Sequence, residues 1–346
     1  MNGRGVVPRW RRALAGAALA WMVIAGAAPA PAREILKVAT LAPQGSIWDT
    51  TLREMGAAWS KATAGEVELR VYPGGVAGDE SDVVRKMRIG QFQGAALTVT
   101  GLAELDPSFG VFQIPLFFES WDEVNAVLER LGPDFERRLE AKGYVLVLWG
   151  HGGWVHLFSR QPIRTLDDLK KQKLFVWAGD DALVQLWRRN GYQPVALAAT
   201  DVTMGLQTGM VEAVPTTPIA ALSLQWFRQT PYMQALGLAP LVGGVVIEKQ
   251  AWDRVPAAAR QQMLAAARAA EEKLAREVPR QDDDAVEQMK TRGLTVVDVP
   301  ADQLPLWRRA AEDFANQARE GKAPSEVLQA TREAVAGARA GRGEGH

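Results

Sequence analysis

The side chains able to do chemistry are few in this chain, and their spacing does not serve catalysis. There are three histidines and no cysteine in 346 residues. His151 and His156 have no carboxylates beside them at metal-ligand spacing, and His346 stands at the C-terminal end, so packing and hydrogen bonding are their expected roles. The lack of cysteine removes any thiolate nucleophile, disulfide or lipid anchor on sulfur. No G-x-S-x-G elbow, phosphate-loop lysine motif or H-E-x-x-H is present. The run from Gly74 to Gly78 could cradle a phosphate at a helix start. Asp79, Glu80 and Asp82 instead fill that first turn with negative charge, which repels an anion and caps the helix. Asp282-Asp283-Asp284 reads as a solvated patch rather than a cation site. An enzyme is the disfavoured reading, because no paired nucleophile and base is visible, and no cofactor or metal is expected.

What the chain has in excess is aromatic surface. Trp154, Phe175, Trp177, Trp187 and Trp226 all fall between residues 154 and 239, with Trp187 assigned to ordinary core packing. Phe175 and Trp177 are two apart in an apolar run and project to one face of a strand. Burial of such rings against an apolar molecule contributes about 25 cal/mol per Å². Trp48, Phe117 and the hydroxyls of Thr98, Thr100, Thr216 and Thr217 complete the candidate ligand-binding set.

The elements that must carry these residues alternate strand-like and helical patterns, which is α/β organisation. Arg4, Arg9, Arg11 and Arg12 precede an apolar run from Ala13 to Ala28 that ends in Ala30-Pro31-Ala32. This reads as an export signal cleaved after Ala32, with Arg11-Arg12 leaving a twin-arginine route open. A membrane anchor is the alternative, since the run approaches spanning length. Loss of those four arginines leaves acids in slight excess, which argues against nucleic acid as a partner. The remainder is too long for one compact core and implies two lobes. The expected division is 33–153 with 240–256 for the first lobe and 154–239 for the second. A long bracing helix and C-terminal elements follow over 257–320, then a flexible tail over 321–346.

The stretch Pro162-Ile163-Arg164-Thr165-Leu166-Asp167-Asp168-Leu169-Lys170-Lys171-Gln172-Lys173-Leu174-Phe175-Val176 resembles a signature of the DctP-type solute-binding proteins of tripartite ATP-independent periplasmic (TRAP) transporters. Val38 to Ser46, Tyr72-Pro73-Gly74-Gly75, Leu102 to Pro107, Ile114 to Phe118 and Leu206 to Ala213 add to the likeness, which spans roughly Ile35 to Leu304. The resemblance implies a two-lobed periplasmic-binding-protein fold that closes on a ligand, and delivery to a membrane permease. It also implies positions for the family's carboxylate-binding arginines, and these fall on Phe175 and on Trp154 or Val155. Val214-Pro215-Thr216-Thr217 stands where an asparagine or glutamine is usual. An unpaired buried carboxylate is costly, so a neutral or hydrophobic ligand is expected. The alternatives are an organic acid held by a relocated arginine, with Arg188 and Arg228 as candidates, and a receptor that presents its ligand to a sensor. Some arginine-less relatives work with a tetratricopeptide-repeat partner, and some members form homodimers.

Overall fold

The computed structural model describes residues 33–179, 181–318 and 323–343; the export signal read in residues 1–32 lies outside them. The first half begins with strands β1 (Glu34–Thr40), β2 (Val67–Tyr72) and β3 (Gly94–Thr98), parallel in the order β2-β1-β3. Helices must carry the chain back between parallel strands, and α1 (Ile47–Ala62) and α2 (Glu80–Arg88) do so. Ser46 caps α1 by accepting from the Asp49 N–H. The helix buries Ile47, Leu52, Met55 and Trp59, and the Trp59 indole donates to the Met263 carbonyl at 2.9 Å. Next come α3 (Val99–Leu105), a 3₁₀ turn over Pro107–Gln113 and α4 (Trp121–Ala141).

Strand β4 (Tyr144–Ser159) has 16 residues, about 50 Å of extended chain, which is long enough to serve both halves. The second half adds α5 (Leu166–Lys170), β5 (Lys173–Trp177), α6 (Asp181–Arg189), β6 (Gln193–Leu197), α7 (Val202–Thr208), β7 (Ala213–Thr216), α8 (Pro218–Ser223) and β8 (Tyr232–Gln234). Strand β9 (Ala239–Glu248) then returns antiparallel to β4. The full strand order is β2-β1-β3-β9-β4-β7-β5-β6. Tyr144 to Val155 of β4 pair with β9, whereas His156 to Ser159 pair with β7. The expected lobe boundary at Trp154 therefore falls inside one continuous strand rather than at a break.

Helices α9 (Lys249–Arg254) and α10 (Ala257–Lys290) follow, then β10 (Thr295–Val297) beside β8, α11 (Leu304–Ala318) and α12 (Ser325–Gly343). Apolar clusters fill both faces of each half-sheet. Phe109, Phe112 and Phe135 are on one face of the first, and Trp59, Ile247 and Leu274 on the other. Phe158 and Phe227 lie on one side of the second, and Leu174 and Trp307 on the other.

The tail expected over 321–346 is instead helical across 325–343. Val327, Leu328, Thr331, Ala334 and Val335 form a buried stripe on α12, at the spacing of one helical face, and the helix packs on α4. Arg339 fastens it, donating to the fully buried Glu123 at 3.1 Å and to the Phe117 carbonyl at 2.9 Å.

Candidate functional site

The glycines of β4 and β9 decide how the two halves meet. Gly150 pairs with Gly243, and a Cβ on Gly150 would come within 2.7 Å of the Trp48 ring. Two missing side chains thus make the seat for Trp48, whose indole donates to the His151 carbonyl at 2.9 Å. One step further the ladder is interrupted between His151 and Gly153. Gly153 takes φ +107°, a region that a residue with Cβ rarely enters, and its open side faces the Asp282 carboxylate.

Helix α10 braces this crossing with two carboxylates about three turns apart. Glu271 accepts from the Trp149 N–H at 2.6 Å. Asp282 accepts from the Trp154 N–H at 2.7 Å and from the Ile219 N–H, at the start of α8, at 3.1 Å. Burial pushes Asp282 up to about 7, against the pull of its two backbone donors. The solvated patch expected at 282–284 is thus corrected at its first residue, which is 8% exposed. A signal was present in the sequence: Asp282 continues the buried row Ala267, Ala270, Leu274, Val278 and Ala285 at helical spacing.

Between the lobes lies a cleft of about 1330 Å³. Eight of the ten candidate residues border it: Trp48, Thr98, Thr100, Phe175, Trp177, Thr216, Thr217 and Trp226. The other two do not. Phe117 turns into the first-lobe core beside Phe118, at 5.0 Å between ring centroids. Trp154 packs edge-on to Trp121 at 5.4 Å and covers Gly237, while its neighbour Val155 reaches the cleft.

Phe175 is 4% exposed on β5 and lies 5.9 Å from Trp177 between ring centroids. Position 175 thus presents a ring to the cleft. Among the described residues no arginine and no histidine borders it, and Lys170 is the one cation. Arg188 and Arg228, the candidates for a relocated arginine, are absent from its walls. His151 stacks on Trp121 at 3.9 Å and bonds Asn125 at 3.1 Å. Pro279 has no N–H for the Ala275 carbonyl four residues earlier, and that carbonyl lies against His151. Burial still pushes His151 down to about 4, so the ring is neutral.

The hydroxyls differ in what they have left to give. Thr98 donates to Glu80 at 2.7 Å and Thr100 accepts from Gln113 at 2.9 Å. Thr217 caps α8. Thr216 borders the cleft and makes no side-chain hydrogen bond among the described residues. Sequence reasoning placed Glu80 only at a helix start, yet its carboxylate reaches the cleft. It accepts from the Thr98 N–H at 2.6 Å and the Gly101 N–H at 2.8 Å. Burial pushes it up to about 7, with neighbouring Asp79 adding to the rise and these donors opposing it. The start of α3 is thus occupied by the protein's own carboxyl group.

Across the mouth, Asp79 accepts from the Ala199 N–H of the second lobe at 3.1 Å. A Cβ on Gly75 would come within 2.8 Å of the Thr200 methyl. Glycine there lets the first-lobe loop meet the second lobe, and the cleft is closed at this point.

The family model for bacterial extracellular solute-binding protein, family 7 (DctP), matches residues 38–320. The C4-dicarboxylate-binding periplasmic protein DctP of Rhodobacter capsulatus is 24% identical over 283 residues, which cover 80% of this chain and 83% of that protein. The sugar acid binding protein DctPAm of Advenella mimigardefordensis, solved in complex with galactonate, superposes with a TM-score of 0.81 at 18% identity, over 89% of this chain and 100% of that one. A TRAP periplasmic solute-binding protein of Xanthobacter autotrophicus, solved with bound β-D-galacturonate, gives 0.80 at 18% identity, over 87% and 99%. With two lobes, a closed cleft and this match over most of its length, the chain belongs to the DctP family of TRAP-transporter solute-binding proteins, receptors rather than enzymes.

Proposed function

We propose that this receptor captures a small, neutral or largely apolar solute, exported to the periplasm and working with TRAP permease subunits. One observation carries the ligand class: rings from Phe175 and Trp177 border the cleft where arginine is expected, and no arginine borders it among the described residues. An apolar body against these rings and one polar atom at Thr216 match what the walls offer, whereas a carboxylate would be desolvated without a guanidinium partner. Cleavage of the export signal after Ala32 is part of the same reading. A tetratricopeptide-repeat partner, a homodimer and a sensor in place of the permease are the finer partner assignments, and co-purification from the native host separates them.

A second reading keeps the organic acids of the neighbours. It is supported by the galactonate and galacturonate bound in the two solved structures and by Lys170 on the cleft wall. Native mass spectrometry of the mature protein, followed by denaturing extraction and identification of the released molecule, decides between the two. A neutral apolar compound at near-equal stoichiometry supports the first reading. A sugar acid or dicarboxylate at that stoichiometry supports the second and overturns the first.

A further inference from the structure

The cleft does not end between the lobes. Its walls continue past Leu116 to Leu166, Trp187, Tyr192, Trp307 and Phe314, which lie on α5, on α6 and the turn after it, and on helix α11. At about 1330 Å³ the whole space exceeds the usual range for small-molecule pockets, about 300–1,000 Å³. Leu116 stands at the junction. Its backbone takes φ +56°, and its N–H donates to the Leu238 carbonyl at 2.6 Å, which directs the side chain into the second-lobe cluster with Trp187 and Tyr192. Trp187 then meets Phe314 at 4.2 Å and Tyr192 at 5.0 Å between ring centroids. The far end is polar: Asn190 donates to Gln317 at 3.3 Å, and the Lys170 ammonium stands 6.0 Å from the Tyr192 ring centroid.

We propose that this extension under α11 is a second subsite, which holds the apolar tail of an elongated amphiphile whose polar end lies between the lobes. The inference rests on the apolar-solute reading above. Two observations carry it beyond that reading: the walls are continuous from Trp177 to Phe314, and the aromatic lining of the extension comes from α6, the turn after it and α11 rather than from the interlobe strands. A compact solute would leave these rings facing empty space, while a tail of several methylenes would cover them. Each buried methylene is worth about fourfold in affinity.

The test compares 1-hexanol with 1-dodecanol by titration calorimetry, on the full mature protein stripped of co-purifying molecules. The expected result is dodecanol bound at least about 100-fold more tightly than hexanol. Ala311→Trp, which fills the space beneath α11, should erase that difference and leave hexanol affinity unchanged, and Phe314→Asp should act in the same sense should the larger side chain disturb the helix. Both alcohols binding with similar affinity to the wild type would overturn the tail subsite and leave the interlobe reading standing. Neither alcohol binding, with a sugar acid recovered by extraction, would overturn the subsite and the apolar-solute reading together.

Discussion

Asp282→Asn tests the brace at the lobe crossing. The carboxylate is 8% exposed and accepts from two backbone donors, the N–H groups of Trp154 and Ile219. An amide presents one oxygen to one of them and turns an NH₂ toward the other, so the substitution should cost about 1–3 kcal/mol for the donor left unpaired. The pH dependence is the sharper consequence. Burial raises the folded-state value to about 7 from 3.8, so the folded protein holds this proton over a range in which the unfolded chain has released it. The stability contributed by protonated Asp282 is therefore fully present below about pH 4 and is lost as pH rises toward 7. At about 1.4 kcal/mol per pH unit, the wild-type advantage over Asp282→Asn should shrink by about 3 kcal/mol between pH 5 and pH 8. Glu80 shifts in the same direction but is common to both proteins and cancels in the comparison. Urea unfolding followed by tryptophan fluorescence at the two pH values gives the difference directly. A gap equal at pH 5 and pH 8 would mean that burial does not outweigh the two backbone donors, and the desolvated, proton-holding state of Asp282 would be wrong.

Three further perturbations address closure, the rings and the last helix. Asp79→Ser keeps a side-chain acceptor at the start of α2 and loses the reach to Ala199; release of the extracted ligand should quicken about tenfold, the worth of one charge-assisted hydrogen bond, and an unchanged stopped-flow rate would remove Asp79 from closure. Trp177→Ala takes a half-buried ring off the cleft wall without opening a fully buried core site; affinity for the extracted ligand should fall about 30-fold by calorimetry, on the basis of roughly half the ring area being covered. Truncation after Pro324 removes Val327, Leu328, Ala334 and Val335 from their burial against α4; denaturant unfolding should show a loss of about 5 kcal/mol, whereas unchanged stability would mean that α12 does not stay docked in solution.

The α/β pattern and the family signature were legible because they are local. In the signature, Thr165 accepts from the Asp168 N–H at 3.1 Å while Asp168 accepts from the Thr165 N–H at 3.0 Å. This reciprocal cap starts α5 and sets the turn into β5, so the motif acts as a structural device whatever side chain stands at position 175. Period-two alternation likewise put Phe175 and Trp177 on one face, as the cleft requires. Orientation across a long strand was not legible. Trp154 and Val155 are adjacent and point to opposite sides of β4, and only the interruption beside Gly153 decides which of them meets the cleft. Phe117 was lost for the same reason, because the left-handed turn at Leu116 exchanges which side chain of the apolar run faces the ligand space. The Asp282 burial and the α12 stripe were written in the helical spacing but hidden by composition, an aspartate triplet in one and alanine, glycine and charge in the other. A polar residue falling in register with a buried row is therefore better read as a helix brace than as surface. In this chain that reading places two carboxylates of α10, Glu271 and Asp282, against the backbone of β4 where that strand passes from one half of the sheet to the other.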